Sequence, residues 1–185
     1  MTELVLRNRQ RTRHVHSPLL RRATNFLLAD VLLLERCELA IHLIAAPEMA
    51  RINQQFLDHA GSTDVITFDY AGETTRPPEH VHGEIFICID DAVKQARQFR
   101  TTWQSELVRY LIHGVLHLVG YDDLTPAGRR TMKREENRLL QMLSRQFSLR
   151  HLANAGPSSS RKSQIVNRRA SVSLSRAARA TRVRS

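Results

Sequence analysis

The chain has 185 residues, which suits one domain with a hydrophobic core and excludes a disulfide-stapled miniprotein. Its net charge of +10 comes from 28 basic and 18 acidic residues. Eight of the basic residues and none of the acidic ones lie in residues 151–185, so residues 1–150 are nearly neutral, and a uniformly basic folded surface is excluded.

The hydrophobic pattern predicts four strands and five helices. The predicted strands are 3–15, 37–45, 65–70 and 83–89, and the predicted helices are 17–34, 46–58, 90–99, 102–119 and one beginning at Thr125-Pro126. In the first strand, Arg7, Arg9, Arg11 and Arg13 would share one face. The strands come before residue 90 and helices dominate after it. We therefore predict an α+β fold, with a small mixed sheet of about four strands and helices packed on it.

We expect one domain over residues 1–150 and a basic disordered tail over residues 151–185. The tail is rich in serine and contains no Phe, Tyr or Trp, so it cannot bury enough apolar surface to offset its loss of conformational entropy. A tail of this kind commonly adds nonspecific affinity for a polyanion such as RNA. A lineage-specific extension with little function is the alternative.

The two cysteines, Cys37 and Cys88, lie in apolar strand-like segments, and we expect buried, reduced thiols. The apolar segment at residues 26–34 is interrupted by Asp30, lacks a cleavage site and is too short to span a bilayer. These features favour a cytoplasmic protein without a membrane partner.

The segment HGVLHLVGYDD, residues 113–123, carries the chemistry. His113 and His117 are neighbours on one helix face, about 6 Å apart along the axis, and can bind one ion between them. Gly120 can end the helix in the left-handed conformation and let the chain fold back, so that Asp123 offers a third ligand. Two imidazoles and a carboxylate suit Zn²⁺ and leave an open position for reaction, in a zincin-like arrangement. Hydrogen-bonded core histidines and a helix-capping role for the aspartates are the alternatives.

The spacing also matches zinc peptidases of the H-E-x-x-H-x-x-G-x-x-H/D type, which place a glutamate after the first histidine as general base. Here that position is Gly114. A peptidase would lack its proton acceptor, and we expect the glycine to open space above the metal for a bulky anionic substrate such as a phosphodiester.

Several segments together resemble one known family. They are HGVLHLVGYDD (113–123), TDVITF (63–68), GEIFI (83–87) with the helix that follows, Glu106-Leu107 before the histidines, and Met132 with Glu135. Over about residues 35–145 the sequence is similar to the YbeY endoribonucleases, bacterial metal-dependent RNases of 16S rRNA maturation and ribosome quality control. The resemblance implies a single-strand-specific endoribonuclease that uses one Zn²⁺ per chain and works on rRNA at the ribosome.

The sequence departs from the family pattern at two places. Asp123 stands where the family usually has a third histidine, so the metal site is harder and more negative, and the bound water is expected to be less acidic. Leu57 stands where the family usually has an arginine implicated in activity. Arg51, Arg76 or an N-terminal arginine is a possible substitute for that cation.

The resemblance and the motif lead to one expected mechanism. A metal held by His113, His117 and Asp123 would promote RNA cleavage in a cleft between the histidine helix and the strand 63–68. Glu84, Asp122 and Asp64 are candidate proton acceptors, although each also has an ordinary structural explanation. A noncatalytic ribosome-binding factor with a structural metal is the second hypothesis, and a zinc peptidase is the third.

Overall fold

In the computed structural model, five helices pack on a five-stranded mixed sheet, and the structure describes residues 2–71, 80–153 and 179–182. The elements are β1 (Thr2–Asn8), α1 (Ser17–Asn25), β2 (Arg36–Ile44), α2 (Ala46–Leu57), β3 (Val65–Asp69), β4 (His80–Cys88), α3 (Ile89–Phe99), α4 (Trp103–Leu118), α5 (Pro126–Gln146) and β5 (Arg179–Arg182). The strand order is β1-β2-β4-β3-β5, with β1, β2 and β4 parallel and β3 antiparallel to both of its neighbours. The predicted α+β class with a mixed sheet is confirmed.

The two faces of the sheet carry two separate hydrophobic cores. In β4, Ile85 and Ile87 belong to the larger core, which includes most of α4 and the apolar stripe of α5. Phe86 and Cys88 point to the opposite face and pack in the smaller core with Met49 of α2. This alternation follows from the two-residue period of a strand. Because α4 is buried along its length, a polar side chain on it is held firmly in place.

The first helix changes its geometry partway along. The sequence predicts one amphipathic helix over residues 17–34, whereas the structure has α1 followed by a π-helical segment, Phe26–Val31. The amide of Leu32 donates to the carbonyl of Leu27 at 2.9 Å. The wider turn allows the consecutive residues Leu27 and Leu28 both to be fully buried in the larger core.

The two ends of the domain differ from the prediction. β1 ends at Asn8. The amide of Arg9 still donates to the carbonyl of Leu43 at 2.9 Å, and its Nη2 lies 2.7 Å from a carboxylate oxygen of Glu48. The predicted four-arginine strand face is therefore wrong: only Arg7 lies on the strand. In the predicted surface loop 71–82, residues 72–79 lie outside the described residues, and His80–Cys88 forms β4.

Residues 151–153, the first three of the predicted tail, are ordered in the structure. The segment Leu149–Ala153 forms a 3-10 turn, and Leu152 is fully buried in the larger core. Its carbonyl accepts a hydrogen bond from the amide of His16 at 2.8 Å, so the ordered domain extends to Ala153. Residues 179–182 pair with β3 as β5. The rest of the predicted tail lies outside the described residues.

Two other expectations concern cysteines and membranes. Cys37 and Cys88 are buried free thiols, as predicted, and burial raises the pKa of Cys37 to about 11. Across the described residues, every helix is too short or too polar to cross a bilayer.

Candidate metal centre

Two histidines one turn apart on α4 form the base of the centre. Thr102 caps the N-terminus of the helix, and its hydroxyl accepts the amide of Ser105 at 3.2 Å. Burial of the helix against the sheet fixes which residues face away from it. The Nε2 atoms of His113 and His117 lie 2.8 Å apart, so both imidazoles point at one position.

The chain reverses direction at the end of α4 as the sequence predicts. Gly120 adopts a left-handed conformation with φ of 97°. Its amide donates to the carbonyl of His117 at 3.0 Å, and the amide of Tyr121 donates to the carbonyl of Leu116 at 2.9 Å. These two hydrogen bonds form a Schellman motif. The reversal brings Asp123 back alongside the histidines.

The Asp123 carboxylate completes a three-residue donor set. Its Oδ2 lies 4.0 Å from Nε2 of His113, and its Oδ1 lies 3.9 Å from Nε2 of His117. Donors bound tetrahedrally at about 2.1 Å are separated by about 3.4 Å. The observed separations fall on either side of that value, and one ligand atom from each residue lies within 4.8 Å of the other two. The donor set therefore fits a metal ion with small side-chain movements.

The remaining ring nitrogens are held by hydrogen bonds that orient the histidines. Nδ1 of His117 donates to the carbonyl of Tyr121 at 3.1 Å, and Nδ1 of His113 donates to the Glu136 carboxylate. A proton fixed on Nδ1 leaves the lone pair of a neutral imidazole on Nε2, which faces the centre. Both histidines are thus prepared to bind a cation.

Glu136 of α5 contacts a histidine of the candidate centre, and the sequence reasoning missed it. The resemblance drew attention to Glu135 instead, but Glu135 forms a salt bridge with Arg138. The signal was present in the helical period of α5, because position 136 lies on the same stripe as the buried residues Met132 and Leu140. A carboxylate on an otherwise apolar stripe indicates a buried partner.

Burial and neighbouring charges set the protonation of the centre. Burial and the adjacent His113 lower the pKa of His117, which favours the neutral, metal-binding form. Burial alone would raise the pKa of Glu136, but the hydrogen bond from His113 and the charges of Lys133 and Arg109 hold it below its ordinary value. These shifts favour a neutral imidazole at His117 and an ionised carboxylate at Glu136.

A cleft of about 580 Å³ opens beside the centre. It lies between the C-terminal end of α3, the outer face of α4 and the first turns of α5, and Asp64 is also part of its wall. Its walls carry both charges: the basic residues are Arg109, Arg129 and Lys133, and the acidic ones are Asp64, Glu106, Asp123 and Glu136. The expected position between α4 and the strand 63–68 is wrong, apart from the contribution of Asp64.

Gly114 explains why the expected cleft is closed. A Cβ at this position would lie 2.8 Å from Cγ2 of Ile85 and 3.0 Å from Oγ1 of Thr67. The glycine thus lets α4 pack closely on the sheet, and the expectation that it opens space above the metal is wrong. A glutamate at this position would require Ile85 or the helix to shift.

The other candidate acceptors lie in different places. Asp122 is exposed, and its Oδ1 accepts the amide of Leu124 at 2.7 Å within the turn. The helix-capping role considered for it belongs to Thr125, whose hydroxyl accepts the amide of Gly128 at 2.9 Å. Glu84 lies on the same face of β4 as Phe86, across the sheet from α4, and its Oε2 lies 3.5 Å from Nε2 of His42. Asp64 lines the cleft. Its Oδ1 accepts the amide of Val65 at 3.0 Å. Burial raises the pKa of Asp64, and this effect outweighs the lowering by the hydrogen bond.

The position that lacks the family arginine faces away from the cleft. Leu57 packs against the smaller core on the far side of the sheet. Arg51 is exposed on α2, and Arg76 lies outside the described residues. The cations that line the cleft come from α4 and α5 instead.

Comparisons with known proteins agree with the geometry. The family model described as "Endoribonuclease YbeY" matches residues 5–144. An endoribonuclease YbeY from Salinibacter ruber is 39% identical over 94 residues, covering 49% of this chain and 60% of the relative. The one from Chlorobium luteolum is 44% identical over 95 residues, covering 51% of this chain and 66% of the relative. The one from Phocaeicola vulgatus is 36% identical over 107 residues, covering 58% of this chain and 74% of the relative.

A solved structure shows the same fold. The solution structure of TM1509 from Thermotoga maritima matches with a TM-score of 0.59 at 23% sequence identity, covering 84% of this chain and 98% of that one. This chain matches 60% and 66% of the lengths of the first two relatives, so the alignments cover part of those proteins. The family match covers most of the chain and includes all three residues of the metal centre. The chain therefore belongs to the YbeY family.

Proposed function

We propose that this chain is a single-strand-specific, metal-dependent endoribonuclease that acts in 16S rRNA 3′-end maturation and ribosome quality control in the cytoplasm. The observation that carries the proposal is the convergence of His113, His117 and Asp123 at the edge of a cleft large enough for a nucleotide. The relatives' name, endoribonuclease YbeY, supports RNA as the substrate. Its partners are single-stranded rRNA and the ribosome.

We propose one Zn²⁺ per chain as the cofactor. Two imidazoles and one carboxylate form a donor set typical of catalytic zinc, which keeps a further position open. When bound, zinc polarises a phosphate oxygen and lowers the pKa of water to roughly 7.

The chain's own residues position the reacting groups. Glu136 holds the proton on Nδ1 of His113, and the Tyr121 carbonyl holds that of His117, so both rings stay oriented. Of the three carboxylates considered as proton acceptors, Asp64 is the one that lines the cleft, and its raised pKa suits a group that exchanges a proton. Asp64 is thus our candidate for the proton carrier, in place of Glu84 and Asp122.

The basic residues of the cleft would bind the RNA backbone. Arg129 and Lys133 extend from the first turns of α5 on the same side as Asp123. Each phosphate that they neutralise on a single strand releases counterions, and log K should then fall with log salt at about −0.7 per phosphate. Phosphate binding by Arg129 and Lys133 does not require the arginine that the family usually has at the position of Leu57.

A noncatalytic ribosome-binding factor with a structural metal remains the second candidate. The observation that favours it is the apolar packing of Leu57, which stands where the family usually has an arginine implicated in activity. A zinc peptidase is disfavoured by the tight packing at Gly114, where a glutamate as general base would require Ile85 or the helix to shift.

Cleavage of a labelled single-stranded RNA by the zinc-loaded protein separates these candidates. We expect wild type to cleave it and to spare a duplex of the same sequence, whereas His117→Ala loses activity with an unchanged circular dichroism spectrum. His59→Ala, which changes an exposed histidine outside the centre, is the matched control. Binding without cleavage by wild type would support the noncatalytic factor. Equal cleavage by His117→Ala would overturn the proposed site.

A further inference from the structure

One wall of the cleft carries an exposed aromatic ring. Phe99, at the C-terminal end of α3, is 61% exposed and lines the cleft together with Gln95 and Gln98 of the same helix. A flat apolar ring in this position offers a surface on which a base can stack, and the neighbouring amides offer hydrogen-bond donors and acceptors. This wall has no role in the metal centre.

The opposite wall carries an arginine held beside a metal ligand. Nη1 of Arg129 donates to the carbonyl of Asp123 at 3.0 Å and to that of Leu124 at 3.1 Å. No carboxylate in the described parts of the chain forms an ion pair with it. By contrast, Arg109 lies within 4 Å of the carboxylates of Glu106 and Glu136. Arg129 therefore keeps its charge available for an anion that reaches the centre.

The acidic side chains of the cleft have partners that offset part of their charge. Glu106 and Glu136 lie within 4 Å of Arg109, and Asp123 belongs to the metal centre. Burial raises the pKa of Asp64, which favours its neutral form. A metal ion at the centre would neutralise part of the charge that remains, so the cleft can receive an anion.

We propose that the cleft is a subsite for one nucleotide of single-stranded RNA, in which Phe99 stacks on the base and Arg129 binds the phosphate nearest the metal centre. The amide of Gln98, on the same wall as Phe99, then contacts the sugar or the base edge. The volume of about 580 Å³ lies within the range of about 300–1,000 Å³ for small-ligand sites. This inference rests on the proposed function and adds a specificity-determining wall to it.

The geometry favours a single strand over a duplex. A base in a duplex is already stacked on both faces and cannot lie against Phe99, whereas an unpaired base can turn out onto an aromatic ring. Stacking of this kind tolerates every base, so the wall would set a preference for unpaired nucleotides rather than for a fixed sequence.

Binding of a noncleavable probe tests the aromatic wall. The probe is a fluorescein-labelled 2′-O-methyl oligoribonucleotide of about eight nucleotides, followed by fluorescence anisotropy with the zinc-loaded full chain. We expect Phe99→Ala to weaken binding about tenfold and Phe99→Tyr to restore most of it, because the tyrosine ring also stacks. Leu33→Ala, which changes another exposed apolar residue outside the cleft, should bind as wild type does.

The salt dependence of the same binding tests the cationic wall. Arg129→Ala should reduce the slope of log K against log salt by about 0.7, the value for one phosphate contact on a single strand. Arg130→Ala removes the neighbouring exposed charge, which lies outside the cleft lining, and should leave the slope closer to that of wild type. On a cleavable RNA, Phe99→Ala should raise KM with little change in kcat.

The outcomes separate this inference from the proposed function. If wild type binds the probe and Phe99→Ala weakens binding but no RNA is cleaved, the subsite stands and the nuclease activity fails. If wild type cleaves RNA and Phe99→Ala and Arg129→Ala bind as wild type does, the nuclease stands and the subsite is overturned. Absence of both binding and cleavage in wild type would overturn both.

Discussion

The metal centre and the cleft beside it are built from the chain in different ways. The centre takes its three donors from residues 113–123, a continuous segment in which a helix, a glycine turn and an aspartate follow each other. The cleft takes its walls from α3, α4 and α5, together with Asp64. Local spacing can therefore specify a metal site, whereas the surface that receives a substrate depends on how distant elements pack.

The largest expected effect is the loss of zinc affinity on removing Asp123, the carboxylate of the segment 113–123. Asp123→Ala removes one of three ligands, so zinc affinity should fall by more than about 100-fold, beyond the cost of an outer-shell change. Asp122→Ala is the matched control, because Asp122 is exposed and caps the turn. Competition with a zinc-binding dye measures both affinities. Equal affinities in the two variants would remove Asp123 from the centre.

A smaller effect is expected from the long-range support of the same centre. Glu136→Gln weakens the hydrogen bond that orients His113, and zinc affinity should fall by about 10–100-fold. Glu135→Gln changes the adjacent glutamate, which pairs with Arg138, and should stay close to wild type. The same dye competition applies. A larger loss in Glu135→Gln would show that the wrong carboxylate has been assigned.

The glycine turn links the metal centre to stability. Gly120→Ala places a Cβ at a φ of 97° and should cost about 1–3 kcal/mol of unfolding free energy, with a further loss of zinc affinity because Asp123 is displaced. Gly61→Ala is a close control, since Gly61 has a φ of 89° and open space around it. Urea unfolding without metal measures stability. If both variants bind zinc equally, the turn does not position Asp123.

The smallest effect concerns the buried carboxyl of the cleft. Burial raises the folded pKa of Asp64, so its contribution to stability is full below the ordinary Asp value and declines as pH rises through the raised folded value. Asp64→Asn keeps the shape and an acceptor for the amide of Val65. The free energy of unfolding, measured in urea without metal, should therefore fall in wild type as the pH rises from 3 to 7. The difference in favour of the Asp64→Asn variant should grow over the same range. A constant difference across that range would contradict the raised pKa.

The features of the fold that could be predicted are those that depend on local residue spacing. The Ser17 and Thr125 helix starts, the end of α4 at Gly120 and the alternating strands follow from propensity and spacing, and the structure has all of them. The π-helical turn at Phe26 was missed because it arises from tertiary burial of consecutive leucines. β5 was missed because nothing in its short sequence signals that it pairs with β3.

The unpredictable part of the site was its surroundings. Gly114 suggests open space when only the sequence is considered. Its contacts with Ile85 of β4 and Thr67 of β3 close that space, and these residues lie 29 and 47 positions away in the sequence. Phe99 and Arg129 line the same cleft because α3 and α5 both pack against α4. Such pairings depend on crossing angles and turn lengths that one sequence does not specify.

The most direct test of the metal centre is zinc K-edge X-ray absorption on the purified, zinc-loaded chain. We expect one zinc per chain with nitrogen and oxygen neighbours at about 2.0–2.2 Å and the multiple-scattering signature of two imidazoles. His113→Ala should lose that signature. A spectrum with sulfur neighbours at about 2.3 Å, or a wild-type chain that retains no zinc, would contradict the proposed metal centre.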